Sequence, residues 1–377
     1  MEFNVIRADL VRELALLQGA AASQLTLPAL SQVMIEARAG TIALTTTDLE
    51  VALTCHAPAT VREPGSAMLP VRVLHAYAKL LPDAGISFKS EPNDWVTLIS
   101  DRGHIRTRMA GLAREHWPQL PRRPEATLGE ITAGDLGALI SQAGFAVGEE
   151  DTRFIIAGAL LILKPGSAAL VATDGHRLAY MSRASTRCAL EGQALLPRKT
   201  LRELQRLAGA AAPDLTVAIA RDQNHIFFTL GDRHLVTREV AGKFADWERV
   251  LPKNFKRDLE LHRQTFSDCI QRVAEFSDVQ SHAIRLLIGP GEMRLRGAIQ
   301  DVGEAEESMG IAYDGEDVEI AFNATYLMDF LKASEAEMVR LRLGDAFGPG
   351  ELAIAGVDGY RYVVMPIKLD HVRGAAV

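Results

Sequence analysis

The chain repeats itself three times, and a repeat fixes the domain plan before any local element is assigned. Ile42-Ala-Leu-Thr-Thr-Thr-Asp48 resembles Ala169-Leu-Val-Ala-Thr-Asp174, with Thr47 and Thr173 lying 126 residues apart. A weaker third copy is Met293-Arg-Leu-Arg-Gly-Ala-Ile-Gln-Asp301. Ala110-Gly-Leu-Ala-Arg-Glu-His-Trp117, followed by Leu120-Pro121-Arg122, parallels Ala241-Gly-Lys-Phe-Ala-Asp-Trp247, followed by Leu251-Pro252-Lys253. The 377 residues therefore divide into three units of about 126.

Helical periodicity recurs at the same interval. Leu10, Leu14 and Leu17 form one apolar stripe, Leu136, Leu139 and Ile140 a second, and Phe266, Cys269, Ile270 and Val273 a third. A second helix per unit follows from Leu74, Tyr77, Ala78 and Leu81, from Leu201, Leu204 and Leu207, and from Tyr326, Leu327, Phe330 and Leu331. Thr132 and Asn323 are suited to cap helix starts. Between the helices, runs rich in Val, Ile, Leu and Thr read as strands: Val51 to Cys55, Leu160 to Leu163, His225 to Leu230 and Tyr362 to Met365. The class is α+β, with two helices and antiparallel strands in each unit. Periodicity fails at Leu120 to Ala126 and Leu251 to Asp258, which predicts domains at 1–124, 125–252 and 253–377, the last with a short C-terminal extension.

Composition excludes several classes. Hydrophobic residues make up 48% and charged residues 24%, the balance of a globular protein with several cores. A net charge of −7 excludes a uniformly basic surface, so any polyanion site must concentrate its cations locally. Cys55, Cys188 and Cys269 are odd in number and too far apart for a thiolate metal site or a disulfide framework. No metal and no cofactor is expected, and a reducing cytoplasm fits. The start at Met1 lacks a basic leader, and the longest apolar run, Phe154 to Leu163, is too short for a membrane span.

One helix does concentrate its cations. At 100° per residue Arg198, Lys199, Arg202 and Arg206 share an arc separate from Leu201, Leu204 and Leu207. Arg72 and Lys79, Arg7 and Arg12, and, more sparsely, Arg272 and Lys332 add basic positions on other helices. Aromatic residues are 6% and none interleave with the cations of Arg198 to Arg206, so a sequence-blind contact with phosphates suits them better than base stacking. Asp174 beside His176 could orient a general base, yet Asp-Gly after an apolar strand is also an ordinary turn. No nucleotide-binding, zincin or nucleophile-elbow motif occurs. In Tyr362-Val-Val-Met-Pro-Ile-Lys-Leu369 the proline stops ladder pairing, which predicts apolar groups beyond it facing outward toward a partner.

Together these segments resemble the sliding-clamp β subunits of bacterial DNA polymerase III, from Met1 to Leu369. The likeness rests on Thr26-Leu27-Pro28, Thr47-Asp48-Leu49-Glu50, Ala172-Thr-Asp-Gly-His-Arg-Leu178, Leu196-Pro-Arg-Lys199, Arg249-Val-Leu-Pro-Lys-Asn254 and Tyr362-Val-Val-Met-Pro366. It implies three clamp domains per chain, a head-to-tail homodimeric ring around duplex DNA of any sequence, and no catalysis. It implies a partner-peptide pocket lined by Ile156, Thr173, Gly175, His176, Arg177, Leu178, Ala245, Arg249, Val250, Val363, Val364, Met365, Pro366, Ile367, Lys368 and Leu369. Such a pocket would take short motifs of the polymerase III α subunit, the clamp loader, other DNA polymerases, ligase and mismatch-repair proteins. DNA-facing positions would be Arg72, Arg198 and Lys199, to which the helical arc adds Arg202 and Arg206. Arg102, Ile105 and Phe276 would join subunits, with Glu304, Glu306 and Glu307 opposite the basic edge.

The chain departs from that pattern at Gln24, Glu149 and Glu150, where loops approach DNA, at Ala245 in the pocket, and in the tail 370–377. A second copy specialised for repair or inhibitor resistance would explain such changes. From other classes, a hydrolase using Asp174 and His176 and a scaffold that binds only proteins remain as alternatives.

Overall fold

The computed structural model describes residues 1–22, 27–102, 105–148, 158–185, 188, 191–357 and 359–368. Contacts gather the chain into two compact units: Met1–Gly137 with Lys164–Gly166 and Ser185–Glu239, and Ala138–Leu163 with Ser167–Ala184 and Val240–Val377. The six helices expected from periodicity all form: α1 Arg7–Leu17, α2 Val71–Leu80, α3 Ala133–Ala143, α4 Arg198–Gly209, α5 Arg263–Ala274 and α6 Ala324–Ala333. Thr132 Oγ1 accepts the Asp135 amide at 3.0 Å and Asn323 accepts that of Tyr326 at 3.2 Å, so both read caps hold. Among the described residues no helix is long and apolar enough to cross a membrane.

In the first unit one antiparallel sheet runs in the order Arg106–Ala110, Trp95–Ser100, Gly85–Ser90, Glu2–Ile6, Val51–Glu63, Arg233–Arg238, His225–Leu230, Thr216–Arg221 and Thr127–Thr132. Strands Gln32–Arg38, Thr41–Thr47 and Gly65–Pro70 pair beside this path. Val51–Glu63, from the first repeat, pairs directly with Arg233–Arg238, from the second, with Val51 opposite Thr237 and Cys55 opposite Arg233. Leu10, Leu14, Leu74, Leu201, Leu204 and Leu207 are buried to 3% exposure or less, so the apolar stripes form the core.

The second unit repeats that junction. Arg177–Ala184 pairs antiparallel with Tyr360–Val364, Arg177 opposite Val364 and Met181 opposite Tyr360. The sheet continues from Tyr360–Val364 through Gly350–Ile354 and Met338–Leu343 to Arg257–His262. A second sheet runs Gly303–Gly310, Glu292–Ile299, Ala283–Gly289, Val318–Asn323. Its alternation is plain in Glu292–Ile299, where Met293 and Leu295 are buried and Arg294 and Arg296 exposed.

The starts Val51, Arg177 and Gly303 are spaced by 126 residues, and Arg106, Arg233 and Tyr360 by 127. Two of the three equivalent strand pairs are thus made within the chain. The remaining two strands, Arg106–Ala110 and Gly303–Gly310, are open edges, each paired on one side only among the described residues.

Buried charge supports the junction of the first unit. Glu13, 2% exposed, accepts from Arg233 Nε and Nη2 at 2.9 Å each and from Arg12 Nε at 2.8 Å. Burial acts to raise its pKa, but the bonds from Arg233 and Arg12 outweigh burial and hold it below the usual glutamate range. Glu203 on α4, 5% exposed, accepts from Arg206 at 2.9 Å; here burial prevails and its pKa is raised. Removing Glu13 strands a guanidinium that is itself largely buried. Glu13→Ala is therefore expected to cost about 3 kcal/mol in urea denaturation at pH 7. Because the folded pKa of Glu13 is depressed, its contribution is complete above the unfolded value near pH 4.3. It is lost as pH falls through the folded pKa, so the gap between wild type and variant closes in acid.

Candidate functional site

The terminal strand and the turn Thr173–Arg177 meet in the second unit. Thr173 Oγ1 donates to the Arg177 carbonyl at 2.6 Å and accepts the Gly175 amide at 3.1 Å. Asp174 Oδ1 accepts the amides of His176 and Arg177 at 2.9 and 3.0 Å. Gly175 supplies the left-handed φ of 87° that closes the turn. The Met365 amide donates to the His176 carbonyl at 2.8 Å, which carries the chain out of the sheet beside the turn.

Arg177 lies at the centre of this arrangement, its side chain 10% exposed. Nε donates to Asp174 Oδ2 at 3.0 Å, Nη1 to Asp329 Oδ2 at 2.5 Å and Nη2 to the Phe145 carbonyl at 3.1 Å. The guanidinium also lies 4.4 Å from the Tyr326 ring centre. Burial acts to lower its pKa, and Tyr362, Asp329 and Asp174 more than reverse this, so it stays charged. Arg177 therefore pins the turn to α6 from beneath rather than standing free at a rim. Asp329, Phe145 and Tyr326 were missed in the sequence: Asp329 lies 152 residues away, and Tyr326 reads simply as part of an apolar stripe.

Other sites differ from the sequence expectation in accessibility. Leu178, Val363 and Val364 are 2%, 1% and 1% exposed, so they are core residues beneath the turn and the terminal strand. Thr173 is also buried, while Gly175, His176, Ala245, Arg249 and Lys368 are exposed. Val250 and Met365, at 43% and 42%, are the apolar groups on offer. Beyond Pro366 the chain is not released: the Ile367 amide donates to the Ala321 carbonyl at 2.8 Å, and Ile367 is half-buried. Arg249 pairs with Asp246 at 2.8 Å. Ile156, Leu369, Gln24, Glu149, Glu150 and the tail 370–377 lie outside the described residues.

The hydrolase geometry does not form. Both Asp174 oxygens serve the turn and Arg177, and no contact joins Asp174 to the His176 imidazole among the described residues. Groups of three or more His, Cys, Asp or Glu arranged to hold a metal are likewise absent among those residues.

On α4 the basic stripe forms but is partly neutralised. Lys199 Nζ pairs with Asp48, and Arg206 pairs with Glu203 and donates to the Ala15 carbonyl. Arg202 is exposed and has no ion pair among the described residues. Arg198 is half-buried, and Arg72 on α2 is exposed. At the open edges, Arg106 and Arg108 are exposed on one strand and Glu304 and Glu306 on the other. Arg102 is exposed, and Ile105 and Phe276 are half-buried. Glu306 pairs with Arg296, and Glu307 with Arg272 at 2.5 Å.

Asp329→Asn removes one charged partner of a buried guanidinium that keeps Asp174. A cost of about 2 kcal/mol is expected. Faster amide exchange along Arg177–Ala184 and Tyr360–Val364 would report it.

Comparison with known proteins agrees along the whole chain. The N-terminal domain of the DNA polymerase III beta subunit matches residues 1–121, its central domain 130–246 and its C-terminal domain 248–368. The beta sliding clamp of Pseudomonas putida is 34% identical over 375 residues, covering 98% of this chain and 100% of that protein. The crystal structure of DNA polymerase III subunit beta from Pseudomonas aeruginosa superposes with a TM-score of 0.90 at 33% identity, covering 98% of this chain and 100% of that one. A sliding clamp from the same organism bound to griselimycin gives 0.91 at 33% identity, covering 98% and 99%.

Proposed function

This chain belongs to the DNA polymerase III beta-subunit family, and from that premise we propose that two copies close head to tail into a ring around duplex DNA. It is a sliding clamp, a non-catalytic processivity factor. One observation carries the ring: the strand pair made twice within the chain has a third, unmade instance. Its two halves are the open edges Arg106–Ala110 and Gly303–Gly310. A second copy offers each edge the partner it lacks, and two such contacts close a heterologous assembly. Exposed Arg106 and Arg108 face a strand bearing Glu304 and Glu306 in that pairing, with Glu307, Arg102, Ile105 and Phe276 beside it. The ring then holds six domains, three per chain at 1–124, 125–252 and 253–377.

Inside the ring, Arg72, Arg198, Lys199, Arg202 and Arg206 meet phosphates without reading bases. Retention is topological, so clamps loaded on nicked circular DNA should stay through gel filtration in moderate salt and leave after linearisation. Equal loss from both forms would overturn the ring. Neutralising Arg202 should weaken direct duplex binding for all sequences and flatten the salt dependence, by about 0.9 in slope for one phosphate contact.

The junction of turn and terminal strand serves as the partner pocket. Met365, Val250 and His176 receive a short peptide over a floor of Leu178, Val363 and Val364, with Arg177 holding the turn in place. The partners are the polymerase III α subunit, the clamp loader, other polymerases, ligase and mismatch-repair proteins, in the cytoplasm. Truncating an anchor commonly costs 1 to 3 kcal/mol, so Met365→Ala should weaken an α-subunit peptide roughly five- to 150-fold in calorimetry. Dimerisation should be unchanged. Wild-type affinity in that variant would place the pocket elsewhere.

A further inference from the structure

We propose that the first repeat carries a second docking cleft, which takes a short peptide presenting two adjacent apolar side chains next to a lysine or arginine. The turn Thr47–Val51 copies the turn Thr173–Arg177 bond for bond. Thr47 Oγ1 donates to the Val51 carbonyl at 3.0 Å and accepts the Leu49 amide at 3.0 Å. Asp48 Oδ1 accepts the amides of Glu50 and Val51 at 3.1 and 2.8 Å. The position filled by Gly175 in the second repeat is Leu49, held at a left-handed φ of 78°. Leucine occupies that region at a cost that glycine avoids. Burial within the chain does not repay it, because Leu49 is 57% exposed.

Leu49 lines an open cleft of about 270 Å³, with Leu27, Pro28, Leu112, His116 and Pro118 among the other walls. Leu27 is 52% exposed as well. The lining holds no Asp, Glu, Lys or Arg, and the volume suits one or two side chains rather than a whole small-molecule ligand. Thus both copies of the turn stand beside exposed apolar groups, Leu49 and Leu27 here, Met365 in the second unit. Acidic chain neighbours of two lining residues supply the charge preference. Glu50 follows Leu49, Glu115 precedes His116, both are exposed, and neither has an ion pair among the described residues. A basic residue flanking the apolar pair complements them, whereas an acidic one is repelled. The inference rests on the proposed function only for its kind of occupant, a linear peptide.

The probe is a synthetic nonapeptide with an adjacent leucine and phenylalanine, the leucine photoreactive, followed by lysine. Cross-linked to the full-length protein and mapped by mass spectrometry, it is expected to label 27–30, 49 or 112–118 in addition to the region around Met365. In a Met365→Ala background, adding Leu49→Gly should lower the remaining affinity at least fivefold while leaving the thermal midpoint unchanged or higher, since glycine relieves the turn. Replacing the peptide's lysine with glutamate should weaken binding to this cleft severalfold. Labelling confined to 173–178, 245–250 and 362–368, or an affinity indifferent to Leu49→Gly, would overturn the second cleft and leave the first pocket standing. Absence of labelling at either place would overturn both.

Discussion

The structure depends on one constraint, that an antiparallel strand edge must be paired or covered. Each repeat presents two such edges, and the chain satisfies four of the six by joining Val51–Glu63 to Arg233–Arg238 and Arg177–Ala184 to Tyr360–Val364, leaving Arg106–Ala110 and Gly303–Gly310 open. Because these junctions are made by main-chain hydrogen bonds, they place few demands on side-chain identity. Side chains near each junction are then free to specialise. Arg233, opposite Cys55, reaches Glu13, while Arg177, opposite Val364, reaches Asp329. The same register thus carries a buried ion pair in one unit and a braced turn in the other.

Periodicity made the fold legible, since apolar residues at helical spacing are needed wherever a helix covers a sheet. The 126-residue interval, six helices, two caps and the α+β class follow from that. The sites were legible only in part. Proline at position 366 marked where the ladder ends, and Met365 is indeed exposed. Leu178, Val363 and Val364 are as apolar as Met365 in sequence, but they lie within the paired strands, which are buried on both faces there, whereas Met365 follows the last paired residue. Lys199 reads in sequence as one of a basic arc, and only the fold brings Asp48, 151 residues away, beside it. Leu49 was hidden for the opposite reason: Asp174-Gly175 announces its turn, whereas Asp48-Leu49 does not, although the two backbones agree.

With α4 facing DNA as proposed, the pairing of its cations has a functional sense. Tight phosphate contacts would hold a ring at one place, and a ring kept on DNA by closure needs none. With Lys199 and Arg206 engaged by Asp48 and Glu203, the stripe offers a field softened by neighbouring carboxylates. A net charge of −7 is consistent with this, since carboxylates outnumber Lys and Arg over the chain as a whole.

Gly19, just past the end of α1, shows how far three similar copies have become individual. A Cβ there would stand 2.0 Å from Glu203 Oε1 and 2.2 Å from Arg206 Nη1, so any larger residue displaces that ion pair. The copies share a plan inherited as if by duplication, yet each now carries contacts written for one neighbour alone. Exchanging one repeat for another within the gene would preserve every strand junction and still fail at such points. Divergence of this sort turns a tandem array of interchangeable parts into a chain whose order can no longer be shuffled.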